Sequence, residues 1–320
     1  MPTTIVARER LLNIAQMREE RFTLGEICTN FADNFNALVW CAMRLLIKNS
    51  ILCNLCNISK NLIKRNSLSD GYIWKCNGCG QRTSVRDGSF FSKSLLPLKK
   101  MIVIIYGFAN DFPQTQIKIE SGVGSPTIVD WCNFCREVCT RYLQEHPVEI
   151  GGFDENGQPI TVEIDESYFF PRKYNRGAYR PGRWIFGAVE RNSGKLFVIP
   201  VAAKSEEILL PIISRMILPG SIIVSDGWRA YTNIGRLEGG VYEHRVVIHQ
   251  QNFVDPDDDS VHTQTIESVW MRAKKKLRRQ CGTSRDLFES YLDEFQWRER
   301  IKNRDRFVEF LICLQEQFVV

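Results

Sequence analysis

The sequence predicts a mixed α/β protein with a small metal-bound segment, a helical segment and then a larger core of strands and helices. Three observations carry this reading. Short strand-like runs such as TVEIDESYF and SIIVSDGW alternate with helix-period runs such as HTQTIESVWMRAKKKLRR. Two Cys-x2-Cys pairs stand close together between residues 51 and 92. With 320 residues, 44% hydrophobic and 25% charged, the chain can bury two or three cores and has an ordinary globular balance.

Residues 1 to about 50 read as one or two amphipathic helices, with Leu11, Leu12, Ile14 and Ala15, then Phe35, Leu38, Val39 and Ala42, at helical spacing. Residues 51–92 switch to short alternating stretches, YIWKC and QRTSVR, which suit small hairpins around the cysteines. Residues 95–146 turn helical again. Pro97 opens a helix with Leu98, Ile102, Ile105 and Phe108 on one stripe. A short helix over Gln114 to Glu120, the polar joint SGVG and a second helix begun by Ser125-Pro126 form a helix-turn-helix pattern. The Gly- and Pro-rich stretch GGFDENGQP then marks a boundary.

Residues 155–300 form the longest coherent segment. TVEIDESYF, GRWIFGAVE and KLFVIPV read as an antiparallel meander; a helix from Ser205 to Met216 leads into SIIVSD, which returns beside the first strand. After a helix or loop near Trp228 to Leu237, HRVVIH supplies another strand and the stretch around Glu267 another helix. Three strands, helix, strand, helix, strand, helix is the order of a ribonuclease H-like fold. Residues 301–320 close with a further helix, and there is no internal repeat.

The cysteines divide into two groups. Cys53-x2-Cys56 and Cys76-x2-Cys79, with 19 residues between the pairs, have the spacing of a closed four-thiolate zinc site. Such a site is structural, because no position is left for substrate, and it makes residues 51–92 a zinc ribbon. Gly78 and Gly80 suit a knuckle whose backbone approaches the metal. Cys132, Cys135 and Cys139 share a helical face with Ile128, Val138 and Tyr142, so they read as core, although His146 is near enough in sequence to complete a ligand set. Cys28, Cys41, Cys281 and Cys313 lack partners at ligand spacing and are also read as core. With no secretory signal and no apolar run longer than MIVIIYGFA, the chain is expected in a reducing compartment and not in a membrane.

Asp165, Asp226 and Glu267 occupy the two strands and the helix of the larger core, in IDES, SDGW and HTQTIESVW. Two strand-borne acids and one helix-borne acid can converge on divalent cations. Carboxylates are hard oxygen ligands suited to magnesium or manganese, and three packed together repel unless a cation or a proton intervenes. IDESYF, WIFGAVER, ILPGSIIVSDGWRAY, NFVDP and HTQTIESVWMRAKKKLR resemble, in content and order, the Merlin superfamily of DDE transposases and its bacterial insertion-sequence relatives. The resemblance covers residues 95 to about 300. It implies that Asp165, Asp226 and Glu267 are the family's three acids, that two magnesium or manganese ions serve them, and that transposon-end DNA is the substrate.

Other charged residues are weighed against that reading. Glu163 shares a strand face with Asp165 and is an auxiliary candidate or a solvated acid; Glu166 points the other way. DPDDD at 255–259 reads as an exposed loop, and His262 as either an orienting group or a plainly hydrogen-bonded histidine. Trp228 and Trp270 read chiefly as core, with base stacking as the alternative. Net charge is only +5, but cations crowd the Glu267 helix, where Lys274, Lys275 and Arg278 are candidate phosphate contacts. Arg172, Lys173 and Arg176, among tyrosines, form a second candidate DNA surface.

The expected function is therefore cutting of transposon ends in double-stranded DNA and joining of the ends to target DNA, by a homo-oligomer assembled on DNA. The expected location is the nucleus of a eukaryotic host, or otherwise the cytoplasm with the chromosome. A domesticated, non-catalytic DNA-binding regulator and a nuclease acting on structured nucleic acid without transposition are the alternatives.

Overall fold

The computed structural model describes residues 2–31, 33–169, 182–247, 262–280 and 286–318. The chain divides into two compact units, Met1–Tyr142 with Ile301–Val320, and Leu143–Arg300. Among the described residues no helix is long and apolar enough to cross a membrane.

The first unit begins with three short helices where helical spacing alone suggests one or two. Capping explains the difference. Asn13 and Gln16 form a reciprocal box at the start of α1 (Ile14–Glu19), and Thr23 and Glu26 form another at the start of α2 (Leu24–Asn30). Asp33 caps α3 (Asn34–Met43). Trp40 of α3 packs against Phe22, Phe31 and Phe307, and the buried Arg44 guanidinium lies 3.9 Å above its ring while pairing with Glu20.

Strands β1 (Asn61–Lys64), β2 (Tyr72–Lys75) and β3 (Arg82–Ser84) follow as a small antiparallel sheet. Behind it, the buried Asp70 and Arg86 pair with each other. Asp70 Oδ1 also accepts the Leu98 N–H at 3.0 Å, which satisfies an otherwise orphaned donor at the start of α4 (Leu98–Ala109). The proline expected in the first turn stands immediately before it, at the cap position. Next come α5 (Gln114–Ser121), ended by Gly122 in the left-handed region, and α6 (Ser125–Glu145). Cys132, Cys135 and Cys139 are buried along α6, as the helical spacing predicts. Cys41 and Cys313 are buried too, whereas Cys28 is exposed on α2 and does not belong to the core; Cys281 lies outside the described residues.

The second unit is built on one sheet. Its elements are β4 (Ile150–Gly151), β5 (Thr161–Phe169), β6 (Arg183–Glu190), β7 (Leu196–Val201), α7 (Glu206–Met216), β8 (Ile217–Leu218), β9 (Ile222–Asp226), β10 (Glu243–Val247), α8 (Gln264–Arg278) and α9 (Phe288–Arg300). The five-stranded sheet has the order β10-β9-β5-β6-β7. β5, β6 and β7 form an antiparallel meander, while β9 and β10 are parallel to β5. The stretch from Trp228 to Leu237, open between helix and loop in the sequence, forms short 3-10 turns.

Strand alternation sorts the side chains into two layers. Ile164, Phe186, Ala188 and Phe197 face one side and pack with Leu209 and Ile213 of α7. Phe169, Ile185, Val189 and Val198 face the other and pack with Ile266, Val269, Trp270 and Ala273 of α8 and Leu292 and Phe295 of α9. The sheet is thus covered on both faces, and Asp165, two residues from Glu163 on the same side, opens toward α8.

Candidate metal centre and carboxylate site

The four ribbon cysteines sit on two turns with the same hydrogen-bond pattern. The Asn57 N–H donates to the Cys53 carbonyl at 2.9 Å and the Gly80 N–H to the Cys76 carbonyl at 3.0 Å. One residue further along, the Ile58 and Gln81 carbonyls accept the N–H groups of Cys53 and Cys76, both at 2.9 Å. Asn57 and Gly80 hold the matching left-handed position, with φ of 52° and 75°. Asparagine tolerates that region better than most residues, which is why the first knuckle manages without glycine. Gly78 is needed for space: a Cβ there would stand 3.2 Å from the Cys56 sulfur.

The result is four sulfurs within 4.8 Å of one another. Tetrahedral zinc with bonds of about 2.3 Å separates its sulfurs by roughly 3.8 Å, so the donor set fits one zinc ion. The thiols also perturb each other. Cys56 is held protonated, first by the Cys79 thiol and then by burial. Burial pushes Cys53 up as well, but hydrogen bonds from the Leu55 and Cys56 N–H groups and from the Cys79 and Cys76 thiols together draw that thiol down. A cation at the centre removes this conflict by taking all four as thiolates.

In the second unit, the register of β5 on β9 runs Thr161 to Ile222, Val162 to Ile223 and Glu163 to Val224. Asp165 and Asp226 each lie two residues further along, level on adjacent parallel strands. Glu267 sits in the first turn of α8 and is exposed. Asp165 is raised to about 6, above all by burial, with the charges of Asp226 and Glu267 adding to it. Asp226 and Glu267 are therefore both within electrostatic range of Asp165. Among the described residues, only the cysteines gather three or more potential ligands within 4.8 Å, so these carboxylates stand farther apart than a one-ion cage. Spacing of that kind is open to a pair of ions about 4 Å apart.

Two features fix Asp165 and Glu267. The Trp270 indole N–H donates to Asp165 Oδ2 at 2.9 Å. Its ring reaches there across Gly187, the residue opposite Asp165 on β6, where a Cβ would lie 2.6 Å from the indole. Glu163 is the second feature. It is neither solvated nor open to a ligand: fully buried, it accepts the N–H groups of Thr265 and Ile266 at 2.8 and 3.0 Å, the Thr265 hydroxyl at 2.9 Å and Arg191 Nε at 2.7 Å. His262 Nδ1 lies 3.3 Å from the same carboxylate, and its carbonyl accepts Arg191 at 2.6 Å. No side chain of the cap residue Thr263 caps α8, so Glu163 does that work from the neighbouring strand.

The other site residues separate as follows. Glu166, on the opposite face from Asp165, is raised to about 7, chiefly by burial; Tyr231 and Lys204 pull it down and Asp165 adds to the rise. Trp270 is core, but Trp228 is 38% exposed, which corrects the core reading; it follows Asp226 immediately after Gly227, at the open end of the sheet. On α8, Arg272 pairs with Glu299 and the buried Lys276 with Glu294, so these two cations bind α8 to α9. Lys275 and Arg278 are exposed, and half-buried Lys274 lies within reach of the Asp165 charge. Arg172, Lys173, Arg176 and the DPDDD loop lie outside the described residues.

The segment that carries all three acids has known relatives. Residues 156–300 match the ISXO2-like transposase domain. The chain is 24% identical over 265 residues, 79% of its length and 87% of the relative's, to an uncharacterized protein in transposable element ISH50 of Halobacterium salinarum. It is 29% identical over 104 residues, 32% of its length and 80% of the relative's, to an uncharacterized transposase-like protein of Haemophilus influenzae. A chain in the cryo-EM structure of the simian T-cell lymphotropic virus intasome with PP2A regulatory subunit B56 gamma aligns over 61% of this chain and 67% of that one. The two share 15% identity with a TM-score of 0.29. The sequence matches support a transposase family.

Two predictions follow from the geometry of this transposase-like chain. Elemental analysis should find about one zinc per chain, and Cys76→Ser with Cys79→Ser should abolish it; unchanged zinc in the double variant would contradict the four-sulfur site. The three acids of β5 should differ in sign. Asp165 and Glu166 have folded-state values raised above 3.8 and 4.5, so the folded chain holds their protons more tightly than the unfolded chain. Their penalty is present above about pH 7 and fades as pH falls through the raised values. Without divalent cations at pH 8, Asp165→Asn or Glu166→Gln should therefore stabilise the protein, by up to about 3 kcal/mol. Glu163→Gln should destabilise it by about 3–5 kcal/mol, because Arg191 loses a buried counter-charge. Denaturant unfolding measures all three, and equal signs would refute the assignment.

Proposed function

We propose that this protein is a DDE-type DNA transposase of the Merlin superfamily, with a ribonuclease H-like core that cuts transposon ends and joins them to target DNA. The observation that carries the reading is the level placement of Asp165 and Asp226 on adjacent parallel strands, with Glu267 presented by α8. The strand order β10-β9-β5-β6-β7, with an antiparallel meander at one side, supports the core assignment.

Asp165, Asp226 and Glu267 would hold magnesium or manganese. When bound, such a pair of ions supplies activation of water or a 3′ hydroxyl and stabilisation of the leaving oxygen. The chain's own contribution is positioning. Trp270 orients Asp165 by its N–H, and Glu163 holds the start of α8 so that Glu267 stays over the sheet end. Lys275 and Arg278, exposed on α8, and Lys274 near Asp165 are in place to contact phosphates of duplex DNA. Arg172, Lys173 and Arg176 are assigned the same task from the sequence. The zinc ribbon and the paired helices α5 and α6 are assigned to recognition of the ends, and a homo-oligomer would bring two ends together.

Asp165→Asn, Asp226→Asn and Glu267→Gln preserve shape while weakening cation binding. Each should bind end DNA within about threefold of wild type and lose nicking and strand transfer by at least about a hundredfold in magnesium or manganese. Gel assays of binding, nicking and joining read both effects, and chelator should silence wild type equally. Wild-type cutting by Glu267→Gln would assign the third ligand elsewhere. Specific binding of ends by wild type without cutting in any divalent metal would favour the domesticated regulator.

A further inference from the structure

A group of aromatic side chains gathers at the end of the sheet beyond Asp226. Trp228 and Tyr168 are each 38% exposed. Tyr168 and Trp184 are register partners on β5 and β6, with ring centroids 4.9 Å apart. Lys204 brings its ammonium 4.8 Å from the Trp184 ring and 4.1 Å from the Trp228 ring, so one cation links the two indoles.

These rings are held in place. The Trp228 backbone N–H donates to Asp226 Oδ1 at 3.0 Å and its indole N–H to the Lys204 carbonyl at 3.4 Å, which ties the ring to the acid and to the segment between β7 and α7. At Gly182 a Cβ would meet the Tyr168 ring at 2.3 Å, so the backbone there is bare where that ring lies. Ordinary packing does not account for a fixed tryptophan that keeps more than a third of its surface in water beside a carboxylate site. Exposed aromatic faces joined to a cation match one ligand chemistry well: a nucleobase, which stacks, with its phosphate, which pairs with the ammonium. A fully paired duplex hides its base faces inside the stack and offers none of them to these rings.

We propose that Trp228, Lys204, Trp184 and Tyr168 form a stacking subsite for an unpaired nucleobase next to the phosphodiester that Asp226 serves. The subsite rests on the DNA-cutting reading and adds to it a preference for DNA with a base displaced from the helix at the cut. Trp228 supplies the stacking face. Lys204 supplies the charge for the adjoining phosphate and sets the angle between the two indoles.

The test uses the full, zinc-loaded chain with no magnesium or manganese added, so that no chemistry intervenes, and two duplex probes with a single 2-aminopurine, either paired with thymine or unpaired as a bulge. Wild type should bind the bulged probe about tenfold more tightly than the paired one and quench its fluorescence on binding. Trp228→Ala should lose that preference and the quenching while binding the paired probe as wild type does, and Trp228→Phe should restore most of both. Should Trp228→Ala fail to fold, Lys204→Gln serves in its place and should cut the preference by at least about threefold. Equal quenching by wild type and Trp228→Ala, or equal affinity of wild type for both probes, overturns the subsite and leaves the DNA-cutting reading standing. Failure of wild type to bind either probe overturns both.

Discussion

Glu163 is a charge with no access to water, and its carboxylate accepts from Arg191, between β6 and β7, and from Thr265 and Ile266 at the start of α8. A buried carboxylate survives only under such conditions, because its desolvation has to be offset by charge-assisted hydrogen bonds. The same bonds answer a second need, since the first N–H groups of a helix have no partner within it. One side chain thus binds strand to helix at the point where the strand is about to present Asp165 and the helix Glu267. Displacing α8 along its axis would break three of these bonds together. The first unit uses the same device, where buried Asp70 reaches from the ribbon to the first N–H of α4 and is itself held by Arg86.

Beside this clamp Asp165 has the opposite character. Asp165 is raised above all by burial and further by two like charges, against which the Glu166 backbone N–H and the Trp270 indole N–H pull it down. Stability is given up here to hold negative charge in a confined space. A cation bound there would relieve the repulsion. The four cysteines offer softer donors and a closed shell, which would make a zinc ion held there a structural one.

Much of this was legible in the sequence where the pattern is local. The period-two alternation of TVEIDESYF placed Asp165 and Glu163 on one face and Glu166 on the other, and the strands are found so. Cysteine spacing pointed to the ligand cluster, because two short turns suffice to aim four sulfurs at one point. The capping boxes Asn13-x2-Gln16 and Thr23-x2-Glu26 were equally local, yet apolar spacing alone passed over them and merged the helices. What sequence reasoning missed outright depends on distant partners. The acceptor role of Glu163 needs Thr265 and Ile266 about a hundred residues away. The need for glycine at 187 arises from Trp270, and the exposure of Trp228 is a property of the sheet end, not of its neighbours in the chain.

The account stands or falls on whether Asp165, Asp226 and Glu267 hold cations together. Crystals of the zinc-loaded protein soaked in manganese, with diffraction recorded on both sides of the manganese absorption edge, locate the bound ions directly. Two manganese peaks about 4 Å apart, ligated by Asp165, Asp226 and Glu267 and absent from crystals of Asp165→Asn, are the predicted result. Manganese bound only at other carboxylates, with these three left unliganded at saturating metal, would contradict it.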